Sequence, residues 1–428
     1  MTAVPATAAA NRHVGSIAII GVLFFIIGFF TWINGPLITF VKLAFDLDEV
    51  KAFFVVFVFY ISYFVLALPA SWALKRTGLK KGLALSLFVM AVGAAVFGEL
   101  STQRIYAGAL TGLFIIGGGL ALLQTAVNPY ISILGPIESA AQRIALMGIC
   151  NKVAGMLAPL LIGTLVLHGI GDLATQVEAA DTATKAMLLN EFAAKIHTPY
   201  LVMAAVLVLV AIAILFSSLP EIKPSEANAE RSAAGATGKG GVFQFPHLWL
   251  GVLCLFVYVG VEVLAGDAIG TYGNGFGLPL DETKFFTSFT LGAMLVGYLV
   301  GLIAIPRFIS QERYLSVSAI LGILFALGAF LTKGYVSVGF VAALGFANAM
   351  MWPAIFPLAI KGLGRFTETG SALLIMGIAG GAIIPQLFAV LKQHHDFQLV
   401  FVMLAVPCYL YILFFALRGH RVGKEQAA

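Results

Sequence analysis

The stretch ALLQTAVNPYISILGPIESAAQRIALMGICNKVAGMLAPLL, residues 121–161, reads as the end of one membrane helix, a short turn and most of the next. Gln124, Asn128, Asn151 and Lys152 stand inside otherwise apolar runs, where hydrocarbon penalises each unpaired polar group. Lys152 lies well beyond Arg143, about 13 Å deeper along a helix axis. An ammonium at that depth does not snorkel easily to the near surface. It needs a counter-charge, water or a ligand.

Composition extends this reading to the whole chain. Its 428 residues are 60% hydrophobic and 11% charged, with a mean hydropathy of +1.00. So little charge excludes a soluble protein of this size and suits a polytopic helical membrane protein whose partner is the lipid bilayer. The isoelectric point near 9.0 reflects basic residues in short loops rather than one basic face, so no nucleic acid is expected as a partner. Cys150, Cys254 and Cys408 all fall in apolar spans without disulfide or metal spacing. No cofactor and no metal are expected. The N-terminal MTAVPATAAANRHVG has no signal-peptide cleavage pattern.

Apolar runs long enough to cross about 30 Å of hydrocarbon occur near 14–41, 52–74, 82–101, 105–134, 144–168, 199–219, 247–272, 285–305, 314–332, 335–360, 370–391 and 397–417. They predict an all-α polytopic membrane protein with 12 transmembrane helices. With the N-terminus inside, Lys and Arg favour the inner loops by about two to one, so both termini are expected in the cytoplasm. Residues 220–245, PEIKPSEANAERSAAGATGKGGVFQF, are too polar and small to bury a core and read as a cytoplasmic linker. It separates an N-terminal six-helix bundle, 1–219, from a C-terminal one, 246–428. The outward loop 169–198 has room for a short amphipathic helix. An internal repeat supports the division: GPIESAAQRIALMGI (135–149) and GRFTETGSALLIMGI (364–378) have equal length and end alike. Helices 4–5 therefore answer helices 10–11, as in two pseudo-symmetric bundles.

Four polar clusters lie at membrane depth. Helix 1 carries Thr31, Trp32 and Asn34; helices 4 and 5 carry Gln124, Asn128, Asn151 and Lys152. Helix 7 carries Tyr258, Glu262, Asp267, Tyr272 and Asn274, and helices 10 and 11 carry Asn348, Trp352 and Gln386. Neutral amides pair with hydroxyls and aromatic faces pack on C–H groups, which is what a sugar requires. Each amide alone equally suits an interhelical hydrogen bond; spread over six helices, they favour a polar cavity. Trp32 and Trp352 are expected to pack on the sugar or gate access to it. Glu262 is roughly mid-span and Asp267 about 7 Å further out, on a different helix face. Either is a candidate for cation coupling, with Lys152 as a switchable charge partner. A fixed structural pair with Lys152 is the competing arrangement, and the sequence leaves the pairing open. On the coupling account, Glu262→Gln should abolish uphill accumulation and spare counterflow.

The loop SWALKRTGLKK (71–81) has the shape of the major-facilitator pattern G-x-x-x-D-R-x-G-R-R, with Ser71 for the first glycine and Lys75 for the acid. Together with FFIIGFFTWINGPLI (24–38), LLQTAVNPYISILGP (122–136), MGICNKVAGMLAP (147–159), YVGVEVLAGD (258–267) and FPLAIKGLG (356–364), it marks a resemblance covering nearly the whole chain. The chain resembles the fucose/galactose/glucose symporter branch of the major facilitator superfamily, and looks most like its glucose/galactose and N-acetylglucosamine permeases. The resemblance implies alternating access between two bundles around a midplane sugar site, with helices 1, 4, 7 and 10 lining it. It also marks departures: where fucose–proton members carry an Asn-Asp pair and a helix 4 glutamate, this chain has Asn34-Gly35 and Gln124.

The expected function is import of a neutral monosaccharide, a hexose or N-acetylglucosamine, driven by H+ or Na+ symport. The expected setting is the bacterial inner membrane, with the protein as a monomer. A facilitative uniporter with structural buried charges is the alternative. A drug exporter would call for a greasier, more aromatic site. An enzyme is not expected: His13, His168, His197, His247, His394, His395 and His420 sit near span ends or in loops, and no nucleophile or zinc motif is present.

Overall fold

The computed structural model describes residues 6–133, 140–221, 241–305 and 307–423. Among the described residues, 12 helices are long and apolar enough to cross a membrane. The first six are α1 (Gly15–Ala44), α2 (Glu49–Thr77), α3 (Leu79–Thr102), α4 (Tyr106–Val127), α5 (Leu146–Leu165) and α6 (Thr182–Phe216). The last six are α7 (Pro246–Gly266), α8 (Leu280–Ala304), α9 (Gln311–Leu331), α10 (Gly334–Ile360), α11 (Thr369–Leu391) and α12 (Phe397–Leu417). Most of the linker, 222–240, and the turn 134–139 of the first repeat copy lie outside the described residues.

The two halves pack alike. In the first, α1 lies on α5, α2 on α4, and α3 on α4 and α6. In the second, α7 lies on α11, α8 on α10, and α9 on α10 and α12. The bundles meet along α2–α11 and α5–α8, pairs that the same repeat interchanges. Glycines permit the tightest contacts: a Cβ on Gly28 of α1 would overlap the Asn151 carbonyl of α5, and one on Gly380 of α11 the Phe256 carbonyl of α7. Without a hydrophobic drive between helices in lipid, such close backbone approach supplies the attraction. Phe64, Leu68, Val92, Leu209, Leu324 and Met403 remain exposed, as lipid-facing side chains should.

Four helices break where the sequence reads as continuous, α11 among them at the 3-10 turn Gly377–Ala379 between Thr367–Met376 and Gly380–Leu391. α1 interrupts at Ile33, between Ala6–Trp32 and Asn34–Ala44. Pro36 has no N–H for the Trp32 carbonyl, and the Asn34 amide donates to the adjacent Thr31 carbonyl at 3.1 Å. α7 stops at Gly266, and a short helix Ile269–Asn274 follows. α10 divides into Gly334–Asn348 and Met351–Ile360. Pro353 has no N–H for the Ala349 carbonyl at that break, and one turn further on Pro357 leaves the Pro353 carbonyl without a helical donor, which Gln311 Nε2 supplies at 3.2 Å. The outward loop holds more structure than one short helix: Ile170–Ala179 and Thr182–Ala194 both form, and the latter continues into the His197–Phe216 part of α6. In the 71–81 loop, Gly78 has φ of 79°, and the Lys80 N–H donates to the Glu221 carboxylate at 3.2 Å. An acid from the end of α6 thus reaches the loop whose own acid position holds Lys75.

Candidate functional site

A cavity of about 140 Å³ lies between the bundles. One water needs about 10–15 Å³ on the same measure, so the space admits a small polar molecule. Six of the residues expected at the site line it: Trp32 of α1, Gln124 of α4, Asn151 and Lys152 of α5, Glu262 of α7 and Trp352 of α10. Thr31 and Tyr258 join them. Their convergence follows from the breaks and glycine contacts above. Gly28 brings α1 against the Asn151 backbone, and the α10 break sets Trp352 at cavity depth, its ring stacked on Phe356 at 5.9 Å.

The other expected site residues stand elsewhere. Asn34 is fully buried in the α1 break. Asn348 Oδ1 accepts from the Tyr409 hydroxyl at 2.9 Å, tying α10 to α12. Gln386 Nε2 donates to the Val50 carbonyl at 3.1 Å, across the bundles. The Asn128 side chain lies outside the described residues.

Lys152 and Glu262 meet across the bundles with Nζ–Oε1 at 3.1 Å and side-chain exposures of 8% and 10%. The ammonium also stands 4.7 Å from the Trp32 ring. This answers which acid pairs with the lysine. The pair is neutral as a unit, which is the form in which two charges are tolerated at this depth. Asp267 is different. It is 1% exposed, and neither carboxylate oxygen has a hydrogen-bond partner among the described residues. The Tyr60 hydroxyl and the Gly35 amide face it without closing a bond. A Cβ on Gly35 would stand 3.4 Å from the Asp267 Cα and overlap the Thr287 hydroxyl. The two acids thus face different ways: Glu262 turns to the cavity and Asp267, at the C-terminal cap of α7, to α1.

Three tyrosines complete the wall and were not among the expected site residues: Tyr60 and Tyr63 of α2 and Tyr298 of α8. A phenol in mid-span carries a hydroxyl that needs a partner, and that was the available signal. Gln124 Nε2 donates to the Tyr63 hydroxyl at 3.0 Å, and Asn151 Nδ2 donates weakly to the Phe24 carbonyl at 3.4 Å. Both amides retain capacity toward the cavity. No group of three metal-ligating side chains occurs among the described residues. The arrangement offers amides, phenols and flat aromatic faces around a neutralised charge pair, a set that binds hydroxyl-bearing solutes.

Away from the side that bears both termini, polar contacts link the bundles. Gly171 N–H donates to Asp281 Oδ2 at 3.0 Å, and Lys284 Nζ to the Leu167 carbonyl at 2.9 Å. Lys392 pairs with Glu49 at 2.7 Å. The cavity is therefore sealed on this far side.

The sequence profile of the Major Facilitator Superfamily matches residues 20–385. The glucose/galactose transporter of Brucella abortus biovar 1 is 34% identical over 402 residues, 93% of this chain and 92% of that one. The L-fucose-proton symporter of Escherichia coli K12 is 27% identical over 365 residues, 83% of each. Among solved structures, the transporter FucP in its outward conformation superposes with a TM-score of 0.73 at 24% identity, covering 95% of this chain and 99% of that one. The chain therefore belongs to the Major Facilitator Superfamily, in the branch that also holds these glucose/galactose and L-fucose transporters.

Proposed function

We propose that the protein imports a neutral monosaccharide, a hexose such as glucose or galactose or N-acetylglucosamine, by cation symport with alternating access. The observation that carries this reading is the interbundle cavity of amides and aromatic rings, sealed on one side. In this reading Trp32, Gln124, Asn151 and Trp352 contact the sugar, and Asn128 is proposed to join them. Asn34, Asn348 and Gln386 act by holding the helix breaks and the seam. Lys152 and the α7 acids Glu262 and Asp267 serve coupling. Residues 1–219 and 246–428 rock as units about the linker 220–245. The protein works as a monomer in the bacterial inner membrane, its termini cytoplasmic, without cofactor or catalysis. The names of the relatives support a sugar as substrate.

A facilitative uniporter is the second reading, favoured by the closed Lys152–Glu262 pair, which fits a purely structural charge. Uptake of labelled hexoses and N-acetylglucosamine into proteoliposomes, with and without a proton or sodium gradient, separates the two. Accumulation above equilibrium only with a gradient supports symport; equilibration that ignores the gradient supports uniport. Ala at Gln124 or Asn151 should weaken sugar binding by about 1–3 kcal/mol each, read by titration of the purified, folded variants. Unchanged affinity in both would remove these amides from the site.

A further inference from the structure

Asp267 is the anomaly of the interior. Glu262, the other acid of α7, has a cation at 3.1 Å. Asp267 has none among the described residues, and a carboxylate buried without hydrogen bond or counter-ion is far costlier than a neutral carboxyl. Its surroundings come from four helices. α1 presents the bare backbone of Gly35, and α8 presents Thr287, whose hydroxyl is spent on the Gly266 carbonyl at 2.8 Å. α2 presents Tyr60, and α7 itself presents Glu262, already engaged by Lys152 of α5. Tyr60 is 2% exposed and its hydroxyl has no hydrogen-bond partner among the described residues, yet the same side chain lines the central cavity. It therefore bridges the acid and the cavity.

We propose that Asp267 is the proton-carrying group of transport, loaded when the far-side seam parts and unloaded through the Tyr60 hydroxyl into the central cavity. The assignment rests on the transport reading above and specifies its coupling ion. A sodium ion would want several oxygens, whereas an N–H of Gly35 and an O–H of Tyr60 point toward the carboxyl. Those donors suit a group that alternates between carboxyl and carboxylate and repel a bound metal cation. With the seam closed, α1 covers the acid and the far side has no access to it. When α1 leaves α7, Gly35 withdraws and the carboxylate takes a proton from far-side water. After closure, once sugar leaves and cavity water reaches Tyr60, the carboxyl proton passes to the Tyr60 oxygen as the Tyr60 proton passes to that water. The phenol ends unchanged, and the carboxylate, costly while covered, drives the bundles back to the far-side-open state. The Lys152–Glu262 pair serves the same coupling as the cross-bundle contact that links this proton step to the rocking of the bundles.

Two measurements on the full-length protein test this. The first needs no sugar: infrared difference spectra in lipid should show the band of a buried protonated carboxyl at neutral pH. That band should be lost in Asp267→Asn, shifted in Asp267→Glu and retained in Glu262→Gln. The second records sugar-driven proton entry with a pH dye inside proteoliposomes, beside sugar counterflow. Asp267→Asn should keep counterflow within a few-fold of wild type and lose sugar-driven proton entry more than 10-fold. Tyr60→Phe should lower the ratio of protons entering to sugar exchanged. A carboxyl band that survives Asp267→Asn, or sugar-driven proton entry at the wild-type ratio in that variant, overturns the assignment. If Asp267→Asn does not fold, Asp267→Glu carries both measurements. Wild-type protein that exchanges no sugar refutes the transport reading instead, and the infrared test of Asp267 still decides protonation.

Discussion

Lys152 and Glu262 come from helices on opposite sides of the seam, yet each makes the other tolerable. Removing one leaves a charge buried beside Trp32 and Tyr298, within 4.7 Å and 6.0 Å of Lys152. Breaking a buried pair costs about 3–5 kcal/mol, so Lys152→Met or Glu262→Gln alone should lower thermal stability in detergent markedly. The double variant should recover much of the loss. Additive losses across that cycle would mean that the two groups do not interact. At Gly35 the demand is for space rather than charge. A Cβ there would overlap the Thr287 hydroxyl, so closure over any other residue must first displace Thr287 from its bond to Gly266.

Whole helices approach each other at two equivalent places, Gly28 against Asn151 and Gly380 against Phe256. The obstructing atoms are backbone carbonyls, which cannot rotate away. Gly380→Ala should therefore cost at least the upper end of the roughly 1–3 kcal/mol typical of overpacking, seen as a lower melting temperature with α7 and α11 splayed. An unchanged melting temperature would show that the helices are not so closely apposed. Outside the membrane, capping sets helix starts. The Asp48 carboxylate accepts from the Lys51 N–H at 2.8 Å and the Asp181 carboxylate from the Thr184 N–H at 3.3 Å. The Lys51 N–H holds Asp48 below the usual carboxylate range. Thr184, first through its side chain and then its N–H, does the same for Asp181. A carboxyl whose folded pKa is depressed stabilises the fold above its unfolded value and loses that contribution as pH falls through the folded one. Protection of the Lys51 and Thr184 amides, their exchange relative to the intrinsic rate at each pH, should thus be constant from neutral pH down to about pH 4 and fall below it. Loss of protection already near neutrality would contradict these caps.

At the scale of the molecule, the bundles are held together on the far side by contacts at the two ends of the seam. Lys392 reaches Glu49 at one end, and Lys284 reaches Leu167 at the other. Each contributes about 0.5–1.5 kcal/mol. Lys284→Ala with Lys392→Ala should then shift the population toward far-side opening by roughly 5–150-fold. Spin labels on the far-side ends of α1 and α7 would report longer distances. A distance distribution identical to wild type would mean that apolar packing alone holds the closed state.

Length and apolarity made the helices legible, because a bilayer accepts only spans that satisfy their own backbone. The repeat at 135–149 and 364–378 was enough to expect two matching bundles. Polar residues at depth pointed to a cavity, and six of them meet there. The sequence did not show which amides would be consumed by backbone repair. Asn34 tends the break near Pro36, and Asn348 serves a tyrosine 61 residues away. It also left Lys152 with two possible partners, because Glu262 and Asp267 stand 110 and 115 positions beyond it. Only the crossing of α5 past α7 brings the first to 3.1 Å and turns the second toward Gly35. Solvation by the membrane acts on each segment separately and is therefore written locally. Pairing of buried charges depends on how distant helices are rotated against each other, and that is set by packing of the whole chain.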